Sequence, residues 1–314
     1  MASTVPSNWF VLCYHEIAWS EPRHLRGLSI CHPPDIFADH LEMCSRLGDI
    51  VSYNEGRSRV LEGPLHRPQF TFSFDDGYAG VVRHAASALD AHGVSGIAAI
   101  NPPFIDKSAT FWRAQLCWLR HVRQIDLLKQ RLGEFGYCGE SVKDFTMDHF
   151  TDDVLEVIDT TYRECADEDQ RLDREHLHMQ PHDVAALDDR GWLIANHSAR
   201  HLPLLEATAS DKAESEYSTA EATIESWTGT ATSMWVAPFD RPLERDQDAV
   251  NQLRRLAGTR DVALVDDRPA IAKDIRERMV YRVFVPMARA TALVTKLRAA
   301  SRRGTRQTPH REGS

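Results

Sequence analysis

The stretch Thr71–Tyr78 constrains the fold of this chain most, because an apolar run ends there in two adjacent aspartates. Its sequence, TFSFDDGY, places Asp75 and Asp76 directly before Gly77. β-Prone residues before a glycine-marked turn predict a buried strand that reaches its C-terminal end. Barrels and open α/β sheets carry out their chemistry at such strand ends. Because two desolvated like charges repel, we expect a bound cation beside this pair.

A β-α rhythm surrounds this strand and favours a parallel sheet or barrel. Charged helical sequence interrupts the rhythm from about residue 108 to 175, and such an insertion either covers the mouth of a site or has a purely structural role. We predict one domain over residues 1–300 and a disordered basic tail over 301–314. The predicted strands are Trp9–Tyr14, Ile50–Tyr53, Gln69–Phe74, Gly96–Ile100, Trp192–Asn196, Met234–Ala237, Val262–Val265 and Tyr281–Val285.

Charge and composition exclude some classes of function. The formal net charge of -9 argues against nucleic acid as the main partner. No signal peptide and no window apolar enough to span a bilayer is visible in the sequence, so we expect a cytoplasmic protein. The 6 cysteines form no C-x-x-C pair, which predicts reduced structural thiols, with neither disulfides nor a zinc knuckle.

Candidate ligands for the cation follow another predicted strand. The strand Trp192–Asn196 leads directly into His197 and His201, an H-x-x-x-H pair. Histidines at this spacing can point the same way on a helical turn or in a tight loop. Two imidazoles and a carboxylate commonly hold a catalytic Zn²⁺ or a similar ion. Asp76, His197 and His201 would supply this set, and Asp75 would act as general base on a bound water.

Each motif is weak in isolation, because an Asp-Asp pair is usually a solvated turn and an H-x-x-x-H pair usually lies on the surface or in the core. Together they resemble the polysaccharide deacetylases (NodB-homology domains, carbohydrate esterase family four), over about Phe10 to Val285. Phe72–Tyr78 resembles the first motif of that family, and Leu187–His201 resembles the second. Trp235–Asp240 is similar to the third, and Leu12–His15 to the Leu-x-Tyr-His opening of one subgroup.

The resemblance implies an α/β fold, an irregular (β/α)₇ barrel, and metal-dependent removal of an acetyl group from a sugar. It implies that Asp75 is the base and that the backbone N–H of Phe239 is an oxyanion donor. It also implies a divalent metal ion, with Zn²⁺ expected first and Co²⁺, Ni²⁺ or Mn²⁺ as alternatives, on the ligands Asp76, His197 and His201.

The general acid and the support of the base depart from the family pattern. Many members carry a Leu-x-His near the C-terminus that this chain lacks. In the subgroup with the Leu-x-Tyr-His opening, the histidine of the first strand is expected to occupy the same space, so the resemblance implies that His15 is the candidate acid; the alternative is that it only satisfies buried polar groups. Many members also have an arginine in the third motif, where this chain has Val236 and Ala237. Either Arg282 replaces that arginine or the local backbone holds Asp75. Asp240 stands where the family usually has glycine.

The resulting hypothesis is a hydrolase that removes an N-acetyl or other small acyl group from an amino sugar, in a glycan precursor or a glycosylated metabolite. The expected partner is therefore an acylated amino-sugar substrate. Two alternatives remain open. One is O-deacetylation or deformylation by the same residues, and the other is a non-catalytic carbohydrate-binding relative.

Overall fold

The computed structural model describes residues 5–204, 206, 210–239 and 247–306. Within them the chain forms parallel strands alternating with helices, as the sequence predicts. The strands are β1 (Trp9–Tyr14), β2 (Glu16–Ile17), β3 (Cys31–His32), β4 (Asp49–Ile50), β5 (Gln69–Phe74), β6 (Ile97–Ile100), β7 (Leu193–Asn196), β8 (Met234–Val236), β9 (Asp261–Val265) and β10 (Met279–Phe284).

Seven of these strands close into a barrel. Their order is β1-β10-β9-β8-β7-β6-β5, and β1 pairs with β5 as well as with β10, which closes the ring. The β1–β5 register is long, running from Trp9 opposite Gln69 to Tyr14 opposite Phe74. β4 pairs with the start of β5, and β2 and β3 form a separate two-stranded sheet. The predicted irregular (β/α)₇ barrel is confirmed.

Helices surround the barrel on its outside. They are α1 (Pro34–Leu47), α2 (Tyr53–Glu62), α3 (Ala86–Asp90), α4 (Pro102–Ile105), α5 (Trp112–His121), α6 (Ile125–Leu132), α7 (Val142–Asp148), α8 (Asp152–Glu164), α9 (Glu168–Glu175), α10 (Pro181–Asp189), α11 (Ser210–Thr228), α12 (Gln247–Ala257), α13 (Ala272–Arg276) and α14 (Ala290–Arg306).

Alternation of side chains along the strands creates two apolar layers. Along β1, Trp9 and Val11 belong to the cluster inside the barrel, whereas Phe10 and Leu12 pack outside. The interior is filled largely by small residues around the Trp9 ring, which is how a barrel of few strands can close on a solid core. The outer layer packs against helices such as α1 and α14, and each buried Phe or Leu stabilises it by roughly 1.5–3 kcal/mol.

The insertion between β6 and α10 is helical, as expected, and comprises α5 to α9. His24, which precedes β3, anchors it to the rest of the chain. Its ring is buried, with Nδ1 2.6 Å from Asp173 Oδ2 and Nε2 2.7 Å from the Tyr162 hydroxyl. It also stacks on Trp118, with ring centroids 4.8 Å apart. A buried, fully bonded imidazole of this kind fixes the position of the insertion.

Two local predictions differ from the structure. The strand predicted over Ile50–Tyr53 is limited to Asp49–Ile50, because the Ser52 hydroxyl accepts a hydrogen bond from Glu55 N and caps α2. At the C-terminus, α14 continues to Arg306, past the boundary placed at residue 300, and Ser301 is buried. Residues 307–314 lie outside the described residues. No helix of the described chain is long and apolar enough to cross a membrane.

Candidate active site

A cavity of about 280 Å³ opens at the C-terminal ends of the barrel strands. Because these ends meet at one face of a parallel barrel, residues far apart in sequence converge there. All 6 site residues predicted from the sequence line this cavity, namely His15, Asp75, Asp76, His197, His201 and Phe239.

The loop after β5 holds both aspartates in a constrained backbone. Asp76 has a φ of 69°, a left-handed conformation that is uncommon for residues other than glycine. Gly77 follows with a φ of 65°, where a Cβ would also lie 2.9 Å from the Ile105 side chain. The end of the insertion secures this loop, because Met179 N donates to Gly77 O at 3.0 Å. Such strain persists only where the surrounding structure enforces it.

Glu16 and Gly80 support this loop from behind. The buried Glu16 carboxyl accepts a hydrogen bond from Ile17 N at 2.8 Å. A Cβ at position 80 would overlap with both Glu16 Oε1 and Ile17 O, so only glycine allows this close approach. Burial raises the pKa of Glu16 to about 8, so this carboxyl is largely protonated near neutral pH.

Asp76, His197 and His201 form a buried group of potential metal ligands. Asp76 Oδ1 lies 3.4 Å from His197 Nε2 and 3.1 Å from His201 Nε2. One ligand atom from each residue lies within 4.8 Å of the others. Although His201 Nε2 is close, none of the described residues is oriented to form a hydrogen bond with the buried Asp76 Oδ1, which is costly unless another group satisfies it. A divalent cation fits this donor set.

Hydrogen bonds behind the histidines orient them for this task. His197 Nδ1 lies 3.0 Å from Val236 O. A proton on Nδ1 makes this hydrogen bond and leaves the Nε2 lone pair facing Asp76, which is the usual support of a metal-bound histidine. The backbone between the histidines is also held, because the Ser198 hydroxyl accepts from Leu202 N at 2.8 Å and Asn101 Nδ2 donates to Ser198 O at 2.8 Å.

The pKa shifts of Asp76, His197 and His201 favour positive charge between these side chains. Burial lowers the pKa of His201 to about 4, so its imidazole is neutral near neutral pH. Burial alone would raise the pKa of Asp76, but the two histidines hold it well below its usual value. Burial disfavours charge on His197 too, yet Asp76 and Asp75 outweigh this and raise its pKa. The aspartates therefore attract positive charge to this point, which a metal ion can supply.

Arg282 holds Asp75, which decides the alternative that the sequence left open. Its Nη1 donates to Asp75 Oδ1 at 2.6 Å and its Nη2 donates to Oδ2 at 3.0 Å, a bidentate pair in which both residues are buried. Arg282 belongs to β10, so it reaches Asp75 from a strand outside the third motif. Burial favours a neutral Asp75, but Arg282 outweighs it and holds the pKa at about 2.

Cys13 and His15 approach Asp75 from β1. The Cys13 thiol donates to Asp75 Oδ2 at 3.4 Å. A ligand atom of each of Cys13, His15 and Asp75 lies within 4.8 Å of the others. Because the Arg282 guanidinium already contacts both Asp75 oxygens, a second cation here would be repelled. Half-buried His15 faces the cavity, and burial lowers its pKa below the usual value.

Phe239 lies at the end of β8 with a φ of 46°. Its ring packs against His201, with centroids 4.4 Å apart and the planes nearly perpendicular. The structure thus brings this predicted residue to the site, beside the ligand group. Asp240, the other unusual residue of the third motif, lies outside the described residues.

The insertion supplies residues that the sequence did not single out. We call Phe111, Arg113, Lys143 and Met147 the insertion wall of the cavity, and Asp75, Asp76, His197, His201 and Arg282 its barrel wall. The insertion wall carries no motif, since its residues belong to ordinary amphipathic helices. Arg282 was one of the two ways of holding Asp75 that the sequence left open, and the sequence did not decide between them.

The comparisons with known proteins agree with this architecture. The solved structure of the Streptococcus pyogenes deacetylase PplD in complex with acetate shares 13% identity with the chain at a TM-score of 0.59, covering 93% of this chain and 99% of that one. The structure of IcaB from Ammonifex degensii shares 14% identity at a TM-score of 0.58, covering 95% of this chain and 100% of that one. The structure of a de-N-acetylase from Aggregatibacter actinomycetemcomitans shares 13% identity at a TM-score of 0.57, covering 93% of this chain and 100% of that one.

These identities are low, so the solved structures support the fold alone. Among curated proteins no match was found. The family assignment comes from the sequence, because residues 62–258, more than half of the chain, match the family described as polysaccharide deacetylase. The matched segment includes Asp75, Asp76, His197, His201 and Phe239. The chain therefore belongs to the polysaccharide deacetylase family.

Proposed function

We propose that this protein is a metal-dependent hydrolase that removes an N-acetyl or another small acyl group from an amino sugar. One observation carries the proposal. Two neighbouring carboxylates have different partners, Asp76 facing His197 and His201, and Asp75 bound by Arg282. A ligand set and a separately held base at one barrel mouth are the parts that acyl hydrolysis requires.

Asp75 is assigned to remove the proton from the attacking water. A pKa of about 2 keeps it ionised at neutral pH, and the Arg282 fork fixes its orientation. A carboxylate this acidic is a weak base towards ordinary water. A divalent cation on Asp76, His197 and His201 would acidify a water molecule and polarise the acyl carbonyl.

His15 is assigned to protonate the leaving amine. It lines the cavity close to Asp75, on the β1 side. Its lowered pKa makes its protonated form a stronger acid, although that form is less populated at neutral pH. The backbone N–H of Phe239 is assigned to the negative charge that develops on the carbonyl oxygen.

The nature of the acyl group rests on the family and on the names of the similar structures. One of them is called a de-N-acetylase and another was solved in complex with acetate. An N-acetyl group on a sugar is therefore our first choice of substrate bond. Glycan precursors and small glycosylated metabolites are the substrates that we propose for this chain.

The central experiment compares the wild-type protein with Asp75→Asn, loaded with Zn²⁺, Co²⁺, Ni²⁺ or Mn²⁺. Acyl release is measured on a panel of N-acetylated, N-formylated and O-acetylated sugars. We expect the substitution to lower kcat by about 10² to 10⁴-fold, the usual contribution of a general base. Bound metal should be unchanged, because Asp75 is not in the proposed ligand set. Asp35→Asn, exposed on α1, is the matched control and should retain full activity.

The products decide between the possible reactions. Release of acetate from N-acetyl sugars supports the proposal, whereas formate alone or acetate from O-acetyl sugars alone would replace it with deformylation or O-deacetylation. If the metal-loaded wild-type protein binds sugars but releases no acid, the non-catalytic alternative is correct.

A further inference from the structure

The insertion wall brings two cations to the cavity. Arg113 lies in the first turn of α5 and Lys143 in the first turn of α7. Arg113 Cζ is 5.1 Å and Lys143 Nζ is 5.9 Å from the centre of the Phe239 ring. The same ring packs on His201. Both cations therefore lie near the aromatic ring that also packs on His201.

The donors of these cations are available to a ligand. In the described part of the chain, Arg113 forms neither a hydrogen bond nor an ion pair, and its contact is the face of Phe239. A guanidinium has five N–H donors, and contact with a ring face leaves those at its edge free. Lys143 Nζ lies 3.6 Å from Asp144, a pair at the exposed rim of which little stability is expected.

The balance of charge in the cavity is positive. Its described lining contains the cations Arg113, Lys143 and Arg282 and the carboxylates Asp75 and Asp76. Both carboxylates are already engaged, one by Arg282 and the other by the histidines. The whole chain has a formal net charge of -9, so this cavity is opposite in sign to the chain. Because the two carboxylates are engaged, Arg113 and Lys143 give the described lining an excess of positive charge, which favours an anionic ligand.

We propose that the acylated amino sugar carries an anionic group, either a carboxylate or a phosphate ester, which Arg113 and Lys143 bind while the acyl group lies at the barrel wall. The proposal rests on the deacetylase function above and adds the substrate class. An arginine fork matches both kinds of anion, and a lysine adds a point charge. A neutral sugar would leave the Arg113 guanidinium without a counter-charge and Lys143 with only its exposed contact to Asp144.

Three matched substrates test this proposal: N-acetylglucosamine, its 1-phosphate, and the N-acetylated aminouronic acid of the same sugar. We expect kcat/KM to be at least about tenfold higher for one of the two anionic sugars, as one charged hydrogen bond would give. The preferred sugar identifies the anion as phosphate or carboxylate. Raising the salt concentration should reduce the preference.

Variants identify the residues responsible. Arg113→Met and Lys143→Met keep the apolar stems that pack on Phe239 and remove the charge. We expect the ratio of kcat/KM between the anionic and the neutral sugar to fall by about tenfold in Arg113→Met and by less in Lys143→Met. Lys129→Met, on α6 and outside the cavity lining, should leave the ratio unchanged.

Equal kcat/KM for neutral and anionic sugars in the wild-type protein would overturn the proposal. An unchanged ratio in a variant that combines Arg113→Met with Lys143→Met would overturn it as well. If no sugar is turned over, the proposed deacetylase function fails. Calorimetric binding of the sugar phosphate, the aminouronic acid and the neutral sugar to Asp75→Asn then decides the anion site separately. The anion site is supported if either anionic sugar binds Asp75→Asn more tightly than the neutral sugar does, and if this advantage is lost when Arg113→Met is added. It is rejected if both anionic sugars bind no more tightly than the neutral sugar, or do not bind.

Discussion

The barrel wall and the insertion wall face the same cavity but hold their charged groups in opposite ways. On the barrel wall, Arg282 and Asp75 are buried and joined by two hydrogen bonds of 2.6 and 3.0 Å. On the insertion wall, Arg113 lies over an aromatic ring, and the Lys143 side chain is 38% exposed. On the barrel wall the Arg282–Asp75 pair is already formed before a substrate arrives, whereas the cations of the insertion wall still have donors to offer.

This difference suits the barrel wall to catalysis and the insertion wall to substrate selection. Groups that carry out chemistry gain from being fixed in advance, because no reorganisation is then needed during the reaction. Groups that select a substrate must keep donors free until it binds. Strand ends provide the first condition and helices above the barrel mouth provide the second. Changes to the barrel wall should therefore affect metal content and kcat, and changes to the insertion wall should affect the choice of substrate.

The strongest test of this comparison is His201→Ala on the barrel wall. Loss of one of three proposed ligands should abolish stoichiometric metal binding and lower kcat/KM by about 10³-fold or more, since the chemistry of the cation is lost with it. Metal analysis of the purified protein and acyl release measure the two effects. His92→Ala, at an exposed histidine, is the control. A variant that keeps its metal and its activity would remove His201 from the ligand set.

A smaller effect is expected from Arg282→Lys. Lysine keeps the positive charge but cannot contact both Asp75 oxygens in one plane, so the base loses its fixed orientation. We expect kcat to fall by about 10 to 100-fold with metal content unchanged, the scale seen when groups that orient a site are replaced.

Arg268→Lys is the matched control for this variant. Arg268 is also buried and pairs with Asp266 and Asp274, but it does not line the cavity. Its replacement should reduce stability and leave kcat unchanged. Equal losses of kcat in the two variants would show that the effect of Arg282 is structural rather than positional.

The smallest expected effect concerns Glu16, behind the barrel wall, and appears in stability. Burial raises the pKa of Glu16 to about 8, against about 4.3 in an unfolded chain. Between these values the folded protein keeps a proton that the unfolded chain releases, so the free energy of unfolding falls as the pH rises through this window. Glu16→Gln keeps an acceptor for Ile17 N and does not titrate.

Urea unfolding at pH 5 and pH 8 measures this contribution. From pH 5 to pH 8, we expect the free energy of unfolding of the wild-type protein to fall by on the order of a few kcal/mol more than that of Glu16→Gln. Glu134→Gln, at an exposed glutamate, should behave like the wild-type protein. An equal change in wild-type protein and Glu16→Gln would mean that Glu16 is ionised in the folded state.

Local patterns were sufficient to predict the barrel strands and failed where a helix cap competed with a short strand-like run. The strand Gln69–Phe74 was predicted with its observed bounds, because apolar residues and a following glycine specify it without help from distant parts of the chain. The stretch Ile50–Tyr53 looks equally strand-like. There the cap supplied by Ser52 begins a helix, and a run of four residues is too short for periodicity to distinguish the two outcomes.

The sequence by itself determined the type of chemistry that this protein can support. Asp75, Asp76 and His197 lie directly after apolar strands, and His201 belongs to the loop that follows His197. The geometry of a parallel barrel collects strand ends on one face. Their convergence therefore follows from local sequence and a general rule of folding. The proposed ligand set of Asp76, His197 and His201 rests on these strand-end positions, and metal analysis of His201→Ala tests it.

Only the tertiary structure decided which group holds Asp75 and which cations of the insertion line the cavity. Arg282 lies 207 positions from Asp75 in the chain, and no local pattern specifies a pair that is formed by barrel closure. In the sequence, Arg113 and Lys143 look like any other charged helical residues. The position of the insertion over the barrel mouth places them beside Phe239. Contacts of this kind depend on packing between elements, which residue spacing does not encode.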